Sequence, residues 1–240
     1  MVYGNKGRLG VIHPATGAVQ LTELRRYLHE DVTVYSIPAP FKKVTKEGLE
    51  EMDRKVFEAA EYFRLYYPVD YVYFGCTSGS FIGGDGYDRA LCQKLKEITG
   101  CRDSCTTTTA VLEALRAVGA RRITMCTPYP DEVNEHERVY FEKEGFEILS
   151  LAGLGKEDPR TIPQTELEEI YGMVKNAWDP RSDTLFISCT GLPSLPLVPQ
   201  LERELGVPVI TSNLAGIWNI SRFFNACSDN AKHLGRIFSL

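Results

Sequence analysis

Two cysteines stand where a thiol could do chemistry. Each follows a strand-like apolar run and precedes a threonine: Val72-Tyr73-Phe74-Gly75-Cys76-Thr77-Ser78 in the first half of the chain and Leu185-Phe186-Ile187-Ser188-Cys189-Thr190-Gly191 in the second. In an open parallel sheet, ligands bind beyond the carboxyl ends of the strands, where the following helices point their N-termini. A thiol there meets free N–H groups and the positive end of a helix dipole, which lowers its pKa from about 8.5 and makes it a usable base or nucleophile. Thr77, Ser78, Ser80, Thr190 and Gly191 add hydroxyls and unhindered amides, a setting for a carboxylate or an enediolate. Facing each other, two such cysteines could take a proton from one side of a carbon and return one to the other, or one could attack while the other delivers a proton. Neither scheme needs a cofactor. A cysteine at a strand end also serves as small core filler; equivalent placement in two repeated halves is what singles these two out. The remaining thiols read as structural: Cys92 in a helical segment, Cys126 in a strand, Cys227 near the C-terminus, and Cys101 and Cys105 in a strand or loop between the halves.

The elements that must position these residues follow from the apolar pattern. Runs of strand length at Leu9–Ile12, Val32–Ile37, Val69–Phe74, Ile123–Thr127, Phe146–Leu149, Leu185–Ser188 and Val207–Ile210 alternate with segments of helical period. Leu49, Met52, Val56, Ala60, Phe63 and Tyr67 form one helical stripe, and Leu167, Ile170, Tyr171, Val174, Ala177 and Trp178 another. This alternation makes parallel sheets covered by helices on both faces. The strand pattern is written twice, with a helix from Thr109 to Val118 crossing between. The expected fold class is therefore α/β, with two similar α/β/α lobes related by a pseudo-twofold and the site in the cleft between them. Residues 1–108, with 212–240 packing back, form the first lobe; residues 109–211 form the second. Each half also opens with a strand running into a proline-containing turn, at His13-Pro14-Ala15-Thr16-Gly17 and Thr127-Pro128-Tyr129-Pro130-Asp131.

Composition narrows the function classes. The chain has 240 residues, 43% hydrophobic and 25% charged, enough for a sizeable core. Its formal charge of -5, with no run of five like charges, argues against a nucleic-acid groove. Apolar stretches are too short for a membrane span and residues 1–7 too polar for a secretory leader, so a cytoplasmic protein with no membrane partner is expected. Seven cysteines in that setting are free thiols rather than a disulfide framework. Four scattered histidines and one close cysteine pair, Cys101 and Cys105, do not complete a zinc site. Gly83-Gly84-Asp85-Gly86 lacks the lysine and spacing of a phosphate loop and reads as a turn with Asp85 capping the next helix.

Three motifs in register, Gly75-Cys76-Thr77-Ser78-Gly79-Ser80-Phe81, Thr127-Pro128-Tyr129-Pro130-Asp131-Glu132-Val133-Asn134-Glu135 and Ser188-Cys189-Thr190-Gly191-Leu192, resemble the aspartate/glutamate racemase superfamily. Within it the resemblance is to the branch of arylmalonate decarboxylase and maleate cis-trans isomerase, and it runs from Gly10 to Ser212. It implies two α/β lobes, a site between them, and no metal, pyridoxal or nucleotide. Cys189 matches the family's second-lobe catalytic cysteine, which protonates the carbanion in the decarboxylase branch. Cys76 matches the first-lobe position, where the decarboxylase has glycine and racemases and maleate isomerases have cysteine. In maleate isomerases the first-lobe cysteine adds to the double bond and the second donates a proton. Thr77, Ser78 and Tyr129 match positions that bind substrate carboxylate, with the backbone at Thr190 and Gly191 completing that pocket.

One departure cuts the other way. Maleate isomerases carry asparagine in the turn after the first strand, whereas here it reads Pro14-Ala15-Thr16-Gly17, closer to the decarboxylase version, with Pro14 against the substrate. The loop Ile37-Pro38-Ala39-Pro40-Phe41, with Val44 and Leu49 beyond it, is either an apolar pocket for a substituent or a surface turn. Three functions stay open: an isomerase or racemase of a small carboxylate or dicarboxylate using Cys76 and Cys189; decarboxylation of a substituted malonate with Cys189 as proton donor; or dicarboxylate binding without chemistry. A homo-oligomer is expected.

Overall fold

The longest continuous apolar runs become the middle strands of two parallel sheets. The computed structural model describes residues 4–40 and 52–240. The first sheet contains β1 (Gly7–His13), β2 (Val32–Pro38), β3 (Tyr71–Phe74) and β4 (Asp103–Thr106) in the order β2-β1-β3-β4. The second contains β5 (Arg122–Thr127), β6 (Glu147–Gly153), β7 (Thr184–Ile187) and β8 (Val209–Thr211) in the matching order β6-β5-β7-β8. All pairings are parallel. Every residue of β3 and of β7 is buried, as strands covered on both faces require, whereas the edge strand β2 is mostly half-buried.

Helices α1 (Ala18–Tyr27), α2 (Met52–Tyr66), α3 (Thr77–Phe81), α4 (Tyr87–Thr99) and α5 (Thr107–Ala117) accompany the first sheet. Then come α6 (Asp131–Lys143), α7 (Leu167–Ala177), α8 (Val198–Leu205) and α9 (Ser212–Phe224). Met52, Val56, Ala60 and Phe63 of α2 pack on one face of the first sheet with Ile12, Val72 and Phe74, forming a separate small core. The main core is continuous across both sheets, because α9 lies along α5 and also touches α1 and β8. The segment after β8 contacts both halves. Asn219 Oδ1 accepts from the Tyr71 hydroxyl at 2.6 Å, Phe223 stacks on Tyr71, and the Arg236 guanidinium donates to the Gly206 carbonyl at 2.7 Å.

Register aligns the chemistry. Phe74 pairs with Thr106 and Ile187 with Thr211. The residues just past these pairs, Cys76 and Thr107 in one half and Cys189 and Ser212 in the other, therefore leave the sheets at their carboxyl ends.

Several sequence expectations change. The four-residue strand β4 is real and carries Cys105; its polar composition hides it. The crossing helix starts at Thr107 rather than Thr109, capped by the Thr106 hydroxyl, which accepts from the Thr109 N–H at 3.1 Å. Tyr67 lies past the end of α2 and is exposed, its ring 5.2 Å from that of Tyr35, so it leaves the buried stripe. Asp85 caps nothing: Gly86 is the N-cap of α4, its φ of 77° suiting glycine, and Asp85 pairs with Lys143 at 3.1 Å. Phe41, Val44 and Leu49 lie outside the described residues. Among the described residues no helix is long and apolar enough to cross a membrane.

Candidate active site

Cys76 ends the turn after β3 in extended conformation and N-caps α3. Its Sγ accepts from the Gly79 N–H at 3.4 Å and lies 3.8 Å from the Ser78 hydroxyl. A Cβ at Gly79 would press on the Met52 methyl, the end of a flexible side chain, and approach the Cys76 sulfur to 3.1 Å. At Gly75 the Gln20 side-chain amide occupies the space a Cβ would fill.

Cys189 is held differently. No helix follows it directly; Thr190 and Gly191 form a turn, and φ at Cys189 is +90°, in the left-handed region that side chains other than glycine rarely adopt. Such a conformation costs on the order of 1–3 kcal/mol and persists only where its surroundings over-determine it. Three bonds do so here. The Cys189 N–H donates to the Ser212 hydroxyl at 2.9 Å, the Leu192 N–H donates to the Cys189 carbonyl at 3.2 Å, and the Gly191 N–H donates to the Cys189 sulfur at 3.4 Å.

The two halves are cross-tied at this point. The Thr77 hydroxyl donates to the Ser212 hydroxyl at 2.9 Å, so Ser212 holds both cysteine turns. The Thr190 hydroxyl donates to the Gly75 carbonyl at 3.0 Å. Asn213 Nδ2 donates to the Thr190 carbonyl at 3.0 Å and to Glu23 Oε2 at 2.5 Å, linking the second turn to α1.

One cavity lies between the turns. Pro14, Cys76, Thr77, Ser78, Tyr129, Cys189, Thr190 and Gly191 all line it, and so do Thr16, Gly17, Pro159 and Ile162. Of the predicted site residues all but Ser80 are thus brought together around one space. Its volume is about 20 Å³, on the scale of one water molecule. Pro159 and Ile162, which no motif announced, close it from the loop before α7. Ser80 is a correction: its hydroxyl is engaged with the Cys76 and Thr77 carbonyls and the Thr108 hydroxyl, and it does not line the cavity. The hydroxyls of Thr77 and Thr190 are likewise committed to protein acceptors. The Thr77 and Ser78 N–H groups open a helix and have no intrahelical acceptor. Tyr129 is buried, its hydroxyl has no protein hydrogen-bond partner, and it lies close enough to Cys189 to favour that thiolate. Its backbone is fixed by Asn134 Nδ2, which donates to the Tyr129 carbonyl at 3.0 Å.

The expected acidity of the thiols is overturned. Burial pushes Cys76 up to about 12, against the Gly79 N–H, and charge on Cys189 pushes it the same way. Burial pushes Cys189 up to about 11, opposed by the Tyr129 hydroxyl and the amides of Gly191 and Leu192. At both positions burial thus favours the neutral thiol over the thiolate. Among the described residues no three His, Cys, Asp or Glu side chains gather as metal ligands, and the seven cysteines are free. Cys101 and Cys105 instead donate to the Asp103 and Thr106 carbonyls.

A family model described as arylmalonate decarboxylase matches residues 9–238. The arylmalonate decarboxylase of Bordetella bronchiseptica is 31% identical over 231 residues, covering 95% of this chain and 94% of that protein. The maleate isomerase of Nocardia farcinica is 29% identical over 230 residues, covering 90% of this chain and 89% of its own. A solved maleate cis-trans isomerase variant from Nocardia farcinica, carrying a covalently bound succinylcysteine intermediate, matches with a TM-score of 0.85. It is 25% identical and covers 96% of this chain and 97% of its own.

Proposed function

The chain belongs to the arylmalonate decarboxylase family, and from that premise we propose that it is a cofactor-independent isomerase or racemase of a small carboxylate or dicarboxylate. Cys76 and Cys189 are its two catalytic residues. One observation carries the reading: the two sulfurs, one from each repeated half, line a single enclosed cavity. The similarity to maleate isomerases supports maleate-like substrates. In this reading the lobes are residues 1–108 with 212–240, and residues 109–211.

With both thiols protonated at rest, the chemistry of a cis-alkene diacid balances without an outside base. The Cys76 sulfur forms a bond to one alkene carbon and Cys189 delivers its proton to the other, while the proton lost by Cys76 replaces the one Cys189 gave. One π bond and one S–H bond break; one S–C and one C–H bond form. Rotation about the new single bond and reversal of the same steps yield the trans isomer. The Thr77 and Ser78 amides and the Tyr129 hydroxyl hold the carboxylate on which negative charge develops, an electrostatic contribution that grows in the transition state. The backbone at Thr190 and Gly191 completes the pocket, and Pro14 forms its apolar wall.

A second reading, decarboxylation of a substituted malonate, is favoured by the state of Cys189. A thiol kept protonated by burial is the acid that an enediolate left by loss of carbon dioxide requires. The test offers maleate and aryl- or alkyl-malonates to the native chain and to Cys76→Gly in heavy water. Isomerisation with deuterium entering substrate carbon, lost in Cys76→Gly, supports the two-thiol reading. Carbon dioxide release that survives the substitution replaces it with the decarboxylase reading, and inactivity of the native chain toward both classes rejects the two together.

A further inference from the structure

Of the strands at the edges of the two sheets, β2 alone is left open to continuation. β4 and β8 are four and three residues long, and β4 begins with a charged residue, Asp103. β6 is bulged, because Leu149 stands unmatched between the Ile123–Ile148 and Thr124–Ser150 pairs. Short, charged or bulged strands are how natural sheets blunt their edges. β2 pairs with β1 in unbroken register over seven residues, and Val32-Thr33-Val34-Tyr35-Ser36-Ile37-Pro38 contains no charged side chain.

Backbone geometry says which groups this edge offers. The Ala39 N–H donates to the His13 carbonyl at 2.7 Å, so residue 39 faces β1. Successive residues of a strand turn their N–H and C=O groups to alternate sides. Thr33, Tyr35 and Ile37 therefore also face β1, and Val32, Val34, Ser36 and Pro38 face outward. The Val32 N–H is taken by the His29 carbonyl at 3.0 Å, and Pro38 has no N–H. Among the described residues the outward N–H and C=O groups of Val34 and Ser36 have no hydrogen-bond partner.

An apolar surface lies beside them. Tyr62, Leu65, Tyr66 and Tyr67, at the end of α2, are four of the six exposed large apolar side chains among the described residues, with exposures from 44% to 63%. Tyr62 and Tyr67 line a groove of about 430 Å³ with Val34, Tyr35, Ser36 and Ile37. The Tyr35 and Tyr67 rings are 5.2 Å apart and those of Tyr62 and Tyr66 5.7 Å, so strand edge and tyrosines form one patch.

We propose that this patch is the interface of a homodimer, in which β2 pairs antiparallel with β2 of a second copy about a twofold axis at Tyr35. The register follows from the free groups. An axis at Val34 would set Ser36 against Val32, whose N–H is committed, and an axis at Ser36 would set Val34 against Pro38, which has none. With the axis at Tyr35, Val34 of each copy meets Ser36 of the other, and every free N–H finds a C=O. Tyr35 then faces its own copy at a non-hydrogen-bonded position, where Cα atoms are about 4.5 Å apart. Directly opposed residues share a face, so both α2 helices lie on one face of the joined sheet, with Tyr62 and Tyr67 beside the axis. The occupant is a second copy because the edge complements itself, with reciprocal donors and acceptors and no charge to meet a like charge. Area agrees. A tyrosine buries about 150–250 Å², so three at these exposures supply on the order of 250–400 Å² per copy. Leu65 and the strand edge add to this toward the roughly 800 Å² per partner of a stable dimer. The interface gives the homo-oligomer expected from the sequence its surface, and it is independent of any reading of the cysteine cavity.

The test is sedimentation equilibrium across the micromolar range, where the native chain is expected as a dimer. Ser36→Pro removes an outward N–H without touching the β1 ladder, and Tyr62→Glu puts charge on the patch. Each is expected to raise the dimer dissociation constant about tenfold or more, since every loss occurs twice across the axis. Tyr35→Cys reads the register: mild oxidation is expected to give a reducible covalent dimer beyond any formed by the native chain, the opposed Cα spacing lying within disulfide range. Thr33→Cys, set opposite Ile37, is expected not to. A native chain that is monomeric throughout overturns the proposal. So does a dimer that Ser36→Pro and Tyr62→Glu leave unchanged, or one that Thr33→Cys crosslinks as readily as Tyr35→Cys. Should the variants not fold, amide exchange of the native chain decides: protection of the Val34 and Ser36 amides like that of β1 supports the interface, and exchange at the rate of free amides rejects it.

Discussion

The Thr190 hydroxyl donates to the Gly75 carbonyl at 3.0 Å, bonding the turn that carries one candidate cysteine to the residue just before the other. With the Thr77–Ser212–Cys189 chain of bonds, it makes the relation between the two sulfurs a property of side-chain hydrogen bonding across the halves. Ser212→Ala removes the acceptor of both the Cys189 N–H and the Thr77 hydroxyl. Leaving a buried donor unpaired costs about 1–3 kcal/mol, and a sulfur displaced by an ångström costs on the order of a hundredfold in rate. The expected outcome is a modest loss in denaturant stability with a much larger loss in kcat. A variant that loses stability but keeps native kcat would show that Ser212 holds the fold and not the sulfurs.

Backbone strain at Cys189 gives a second expectation. Alanine at 189 removes the sulfur and keeps the unfavourable φ of +90°, whereas glycine removes both. Both variants should lose the proton donor and with it about 10²- to 10⁴-fold in rate. Cys189→Gly should nevertheless be the more stable of the two by about 1 kcal/mol, a net of relieved strain and glycine's larger unfolded-state entropy. Thermal unfolding of the pair, side by side, measures it. Equal or reversed stabilities would mean that the turn relaxes when the sulfur is gone.

Stability should also fall as the solution is made alkaline. Burial pushes Glu23 and Glu137 up to about 8, against the opposing bonds from Asn213 and Ser188. In the unfolded chain such groups ionise near about 4.3. Between these values the native state binds more protons than the unfolded state, so each carboxyl's contribution is complete below about pH 4 and is lost as pH rises through about 8. The Tm of the native chain should therefore drop more steeply from about pH 5 to about pH 8 than that of Glu23→Gln or Glu137→Gln. Calorimetry across that range checks the slopes, and parallel slopes would remove these carboxyls from the account.

What could be read from the residues, and what could not, divides along physical lines. The middle strands were legible because a strand covered on both faces is an unbroken apolar run, as at Val72-Tyr73-Phe74 and Leu185-Phe186-Ile187. Strand β4, Asp103-Ser104-Cys105-Thr106, carries no such run and exists because β3 offers it a paired edge. The cysteine turns were legible through their repetition. Ser212, Asn213 and Glu23 were not, since their roles arise from contacts across long stretches of chain that leave no periodic mark. Thiol acidity was misjudged for a quantitative reason. A helix dipole is worth about 0.3–1 kcal/mol, under one pKa unit, whereas full burial moves a group by as much as about 3–5 units.

Gly79 separates packing from chemistry most cleanly. A methyl group added there would press on the Met52 methyl and approach the Cys76 sulfur to 3.1 Å. The Met52 methyl ends a flexible side chain and can turn aside, and alanine favours the helix by about 1 kcal/mol over glycine, so much of the crowding cost is offset. The sulfur has less freedom: it accepts the Gly79 N–H as the cap of α3, and moving it loosens that bond. Gly79→Ala is therefore expected to change stability by no more than about 1 kcal/mol and to lower kcat by about ten- to a hundredfold. KM should change less, because the amides of Thr77 and Ser78 stay where they are. Steady-state kinetics beside a urea titration makes the comparison. A native kcat in Gly79→Ala would mean that the position of the Cys76 sulfur does not matter to turnover, and the two-thiol reading would lose its first member.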